Sequence, residues 1–125
     1  MTTEPRLHHL ALGARDVARV AAFYRDALGL PEVRRHDDES GRLRSVWLDL
    51  GSALLMVERS TEPERHVEAI GAGPFLVAIR IAADARAEWE ARLVAHGCKI
   101  ESRTPYTSYA RDPEGNRIAI SHHGG

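Results

Sequence analysis

Two stretches of this chain follow the same plan, and that repeat restricts the architecture more than any single motif does. Asp16 stands 13 residues before Gly29, and Asp84 stands 13 residues before Gly97. In both, an aspartate suited to capping a helix N-terminus opens an amphipathic run, and a glycine suited to the left-handed residue past a helix C-terminus closes it. The first run, residues 17–28, carries Val17, Val20, Ala21, Tyr24, Ala27 and Leu28 at helical spacing. The second, residues 84–96, carries Ala85, Trp89 and Leu93. A strand-like segment precedes each helix. In residues 7–13, Leu10 and Leu12 share one face, and His9, Ala11 and Gly13 share the other. In residues 75–81, Val77, Ile79 and Ile81 alternate with Leu76, Ala78 and Arg80. Three strand-like runs follow each helix: residues 33–35, 43–50 and 53–58 in the first half, and 99–103, 107–111 and 117–121 in the second. The segment Asp112-Pro113-Glu114-Gly115-Asn116 reads as a turn between the last two.

The expected fold is therefore α+β, with tandem βαβββ modules forming a curved mixed sheet around a cleft. The modules span residues 6–59 and 74–122, joined by a polar connector at 60–73 with a helical turn around 64–70. At 125 residues the chain is expected to form a single domain. Helices on one sheet face leave the smaller and more polar side chains on the other, which is a place for a ligand.

Composition removes several classes of function. Formal net charge is −1, so neither nucleic acid nor an anionic membrane is an expected partner. The single cysteine, Cys98, excludes an intrachain disulfide and a multi-cysteine zinc site. The absence of a long apolar run or a signal peptide places the expected location in the cytoplasm. No phosphate loop, dinucleotide fingerprint or nucleophile elbow is present.

The segments Leu7-His8-His9-Leu10-Ala11-Leu12, Phe23-Tyr24-Arg25-Asp26-Ala27-Leu28-Gly29-Leu30, Ala95-His96-Gly97 and Asp112-Pro113-Glu114-Gly115-Asn116-Arg117-Ile118 together resemble the vicinal oxygen chelate superfamily. That superfamily includes glyoxalase I, extradiol dioxygenases, fosfomycin-modifying transferases and bleomycin-binding proteins. The shared segments are turn and packing signatures, so the resemblance implies the fold and a cavity more firmly than a chemistry. It also implies a homodimer. In metal-dependent members the ligands come from equivalent inner-face positions of the two repeats. Carried onto this sequence, those positions are His9, Met56, Leu76 and Ala119. Only His9 is of a ligating type, and a divalent site of oxygen and nitrogen donors needs at least three protein ligands.

The remaining cavity positions are polar or aromatic. Trp47 reads as a stacking wall for a planar ligand, or as a core or dimer-contact residue. Tyr109 reads as a hydroxyl donor to a ligand, or as a strand residue with a solvated tip. Glu58 reads as a base or second ligand beside His9, or as a solvated strand end. Arg80 reads as an anchor for an anion, or as an exposed rim residue. His8, on the opposite face from His9, is expected to be structural. His36 and His66 are expected to be exposed in polar connectors, and Arg34 to belong to a solvated basic hairpin. Cys98 is expected to pack rather than react, and His122-His123 to form a tail with no more than adventitious metal affinity.

These residues support metal-free binding of a small organic molecule, for sequestration, resistance or sensing, with no cofactor. His9, Trp47, Met56, Leu76, Arg80, Tyr109 and Ala119 would line the site. The alternative is a glyoxalase-like lyase, isomerase or dioxygenase-like enzyme acting on a vicinal-oxygen substrate. It would use His9 and Glu58, completed by a partner subunit, to hold a divalent ion such as Zn, Ni, Mn or Fe. Acid–base catalysis by His9 with Glu58 and no metal is a third reading.

Overall fold

The helix that opens at Asp16 forms as its sequence dictates. In the computed structural model, which describes residues 4–124, α1 spans Val17–Asp26. The Asp16 carboxylate accepts the backbone N–H of Arg19 at 3.1 Å. Val17, Val20, Ala21 and Tyr24 are all buried, and Ala27 and Leu28 continue the stripe beyond the last helical turn. Gly29 takes a φ of 71°, which lets the chain reverse so that Leu30 donates its N–H to the Tyr24 carbonyl at 3.1 Å.

The strands β1 (His9–Ala14), β2 (Glu32–Asp37), β3 (Leu43–Asp49) and β4 (Leu54–Arg59) form one four-stranded sheet in the order β1-β4-β3-β2. β1 and β4 run parallel, and the other pairs run antiparallel. Val46, Leu48, Leu55 and Val57 are fully buried on the face against which α1 packs. Each such side chain contributes roughly 1.5–3 kcal/mol by leaving water.

The second half repeats the order. Strand β5 (Val77–Arg80) leads into a 3-10 turn (Ala83–Ala85) and helix α2 (Arg86–Ala95). Strands β6 (Ser102–Arg103), β7 (Thr107–Arg111) and β8 (Arg117–Ser121) complete a sheet ordered β5-β8-β7-β6, with β5 and β8 parallel. Gly97 (φ 93°) ends α2, with Cys98 N–H bonded to the Leu93 carbonyl and Gly97 N–H to that of Val94, which is a Schellman closure. The β7–β8 turn is held by Asp112, whose carboxylate accepts the N–H groups of Glu114 and Asn116 and the Asn116 amide at 2.9–3.0 Å. Contacts divide the chain into two units, Met1–Glu62 and Pro63–Gly125.

Several boundaries differ from expectation. Asp84 does not cap α2: it sits inside the 3-10 turn, and the cap position is Ala85, which makes no side-chain bond. The expected helical turn at 64–70 is absent, because the connector's backbone is pinned from outside. Arg111 donates to the Val67 carbonyl at 2.7 Å and to that of Glu68 at 3.4 Å. The strand expected at 99–103 shortens to Ser102–Arg103, and the one expected at 33–35 lengthens to Glu32–Asp37.

Helix α2 fully buries only Leu93, with Trp89 half-buried, and an ionic cluster adds to its docking. Glu90 pairs with Arg103 at 2.8 Å and Arg86 at 3.6 Å, and accepts the hydroxyl of buried Ser108. Arg103 in particular holds the Glu90 carboxyl below its ordinary range, at about 2. A depressed carboxylate stabilises the fold above its unfolded pKa, and that contribution disappears as pH falls from about 4.5 towards 2. Two outcomes are expected in denaturant titrations. Asp16→Ala should cost about 1 kcal/mol at any pH near neutral. Glu90→Gln should destabilise clearly at pH 7, and the difference from the parent should shrink at pH 3.

Candidate functional site

Strand alternation leaves one face of each sheet free of its helix, and register decides which side chains meet there. In the first unit, the pairs His9↔Leu54, Ala11↔Met56 and Gly13↔Glu58 join Trp47↔Met56 and Ser45↔Glu58 on a single face. His9, Met56, Trp47 and Glu58 thus share the face expected for them. In the second unit, Ala78↔Ala119, Tyr109↔Ala119 and Arg80↔Ser121 place Arg80, Tyr109 and Ala119 together on one face. Leu76 lies just before β5 and is half-buried.

The centre of the first face is Trp47. Its indole N–H donates to the hydroxyl of buried Ser45 at 3.0 Å, which fixes the ring's orientation. Because β2 extends to Asp37, His36 reaches this ring alongside Arg34 of the expected strand. Arg34 lies opposite Trp47 in the ladder, with its guanidinium 5.7 Å from the ring centroid. The His36 imidazole lies 5.1 Å from Trp47, and its Nε2 is buried without a hydrogen-bond partner. The expectation of an exposed His36 in a connector is corrected: it is half-buried in β2, whereas Arg34 is exposed on the β2–β3 hairpin as expected. The available signal was their i, i+2 spacing, which puts them on one face once the strand is long enough.

The second face has a parallel arrangement. The Arg117 guanidinium lies 5.4 Å over the Tyr109 ring, and its Nε is likewise buried and unpartnered. Ala119 is buried between Tyr109 and Ala78, whereas Arg80 is exposed, which is its rim reading.

His9 and Glu58 do not form a pair. Glu58 stands opposite Gly13, four residues along β1 from His9. At a strand rise of ~3.3 Å per residue their backbones lie about 13 Å apart, too far for direct proton transfer. His9 instead meets His8, with the two Nδ1 atoms 2.8 Å apart, so His8 is not directed away as expected. Both imidazoles are exposed. Cys98 donates its thiol to the Arg111 carbonyl at 3.3 Å, and burial raises the thiol's pKa, which suits packing rather than nucleophilic attack. His66 is exposed and lies 3.2 Å from Glu68, and His123 is also exposed.

The donor set does not fit a divalent ion. Of the four positions the resemblance assigns to ligands, Met56, Leu76 and Ala119 present a thioether and hydrocarbon. Among the described residues no three His, Cys, Asp or Glu side chains group as a metal site would require.

Comparisons with known proteins accord with this architecture. The protein-family model for the Glyoxalase/Bleomycin resistance protein/Dioxygenase superfamily matches residues 6–120, and the chain belongs to that superfamily. Similar solved structures include TioX from Micromonospora sp. ML1, at 23% identity and a TM-score of 0.70, covering 95% of this chain and 99% of that one. Lactoylglutathione lyase from Agrobacterium tumefaciens is 27% identical, with a TM-score of 0.69 and coverage of 96% and 95%. The fosfomycin resistance protein FosX from Listeria monocytogenes, complexed with Mn(II) and 1S,2S-dihydroxypropylphosphonic acid, has 14% identity, a TM-score of 0.79 and coverage of 96% and 94%. No curated protein gives a significant match. Among the described residues no helix is long and apolar enough to cross a membrane.

Proposed function

We propose that this protein binds a small organic molecule without a metal, using the sheet faces that carry Trp47 and Tyr109. The carrying observation is the surround of Trp47. A half-buried indole sits beside Met56, flanked by Arg34 and by a His36 nitrogen that is desolvated and unpaired. Leaving a buried polar atom unsatisfied costs about 1–3 kcal/mol, and a ligand hydroxyl or carbonyl would recover that cost. The ring supplies stacking area, and the cation beside it favours a planar, electron-rich ligand.

Tyr109 with Arg117, and Ala119 as a small floor, support the same use of the second face. Leu76 and Arg80 belong to its rim, and His9 and Glu58 to opposite ends of the first face. The separation of His9 from Glu58 favours binding over acid–base catalysis by that pair. The reading includes a homodimer in the cytoplasm, and the unpaired edges of β2 and β6 supply backbone groups for association.

Two measurements test it. Thermal-shift screening with planar aromatic compounds should raise the unfolding midpoint for some of them, and Trp47→Ala should abolish the shift. Equal shifts in parent and variant, or none in either, would remove the stacking site. Elemental analysis of tag-free protein should find no stoichiometric Zn, Ni, Mn or Fe. Stoichiometric metal lost on His9→Ala would overturn the metal-free reading.

A further inference from the structure

The first unit has a pocket, not lined by Trp47, where the parallel strands β1 and β4 both end. Ala14 and Arg59 form the last pair of that ladder. The pocket encloses about 320 Å³ and is lined by Arg15, Arg42 and Arg59. Its apolar wall is Val17, Ala18 and Leu43. Three arginines converge here from three places in the sequence: the β1–α1 junction, the β2–β3 loop and the last residue of β4. The chain as a whole carries a net charge of −1, so this concentration does not follow from composition.

Asp38 and Asp16 lie at the pocket, and both carboxylates already accept hydrogen bonds. Asp38 takes the Arg59 guanidinium at 2.8 Å, the Ser40 hydroxyl at 2.7 Å and the N–H groups of Ser40 and Arg42. These donors, the Ser40 hydroxyl foremost, hold its carboxyl well below the usual carboxylate range. Asp16 also lines the pocket, and its carboxylate caps α1, so the helix N-terminus is not the attraction here. Arg59 is further fixed by donating to the Leu43 carbonyl at 3.1 Å. The Arg42 guanidinium makes no ion pair among the described residues. Arg15 and Arg42 are both exposed at the mouth.

We infer that this pocket binds a small organic anion, its phosphate or carboxylate group held by Arg15 and Arg42 and its short apolar stem resting on Val17, Ala18 and Leu43. A guanidinium suits either oxyanion because its planar N–H fork matches their geometry. The volume lies at the lower end for ligand pockets, which suits a small ligand.

The test is a ¹⁵N–¹H NMR titration of the full chain at 150 mM NaCl with methyl phosphate and, separately, propionate. Neither probe has a ring to stack on Trp47, so the result is independent of the proposed aromatic site. Saturating shifts confined to residues 15–18, 42–43 and 59 are expected with at least one probe, and the arm that saturates identifies the oxyanion. The double variant Arg15→Gln/Arg42→Gln should weaken that binding at least tenfold while its unfolding midpoint stays within a few degrees of the parent. If the double variant is not folded, Arg42→Glu alone should produce the same loss. Shifts that are scattered or fail to saturate with both probes would overturn the inference, as would unchanged affinity in folded variants.

Discussion

The parallel pairing of β1 with β4, and of β5 with β8, is the constraint from which the rest of the molecule follows. Parallel neighbours cannot be joined by a tight hairpin, so each module must send its chain across the sheet before the partner strand arrives. In both modules a helix makes the crossing, and two further strands fill the sheet before the last returns beside the first. The helix then covers one face. The other face is left to side chains that a strand's two-residue period selects automatically: His9, Met56, Trp47 and Glu58 in one module, Arg80, Tyr109 and Ala119 in the other. The same pairing brings the ends of β1 and β4 together beside the start of α1, which creates the arginine pocket. Both candidate sites are thus consequences of one topological requirement.

Much of this was legible in the sequence because the signals were local and periodic. The α1 stripe, its aspartate cap, both closing glycines and the Asp112 turn each depend on neighbours within a few residues, and each appears as read. What escaped the sequence depended on distant partners. Residues 64–70 have a helical composition, yet Arg111 takes their carbonyls from 44 residues away. His36 looked like an exposed connector residue because nothing local marks β2 as extending past residue 35; the ladder with β3 decides that. Strand alternation gave the face shared by His9 and Glu58, but only register reveals that they lie at opposite ends of it.

On the proposed reading, the two faces would bind their ligand without chelation. A metal site concentrates its affinity in a few donors held at fixed distances. Here Met56, Leu76 and Ala119 stand where the resemblance places three of four donors. The faces offer instead the aromatic rings of Trp47 and Tyr109, beside the buried, unpartnered nitrogens His36 Nε2 and Arg117 Nε. If the proposed site holds, such a surface would bind by shape and desolvation, and its selectivity would rest on the contour around Trp47 and Tyr109 rather than on a shared reactive group.

The two modules reach the same fold by different physics, and this bears on which is free to diverge. Helix α1 is anchored by five buried residues, including a fully buried Tyr24. Helix α2 buries Leu93 alone and is fastened through Glu90, Arg86, Arg103 and Ser108. Apolar anchoring tolerates changes of pH and salt, whereas a partly exposed ionic cluster responds to both. The second module also holds its connector through Arg111, whose guanidinium pairs with Glu101 while donating to the Val67 and Gly115 carbonyls. Its sheet is therefore tied to surface segments by charged side chains more than by a deep core. The first module has the greater apolar reserve and carries both the Trp47 face and the arginine pocket, so substitutions at these candidate surfaces should cost less of the fold than comparable changes in the second.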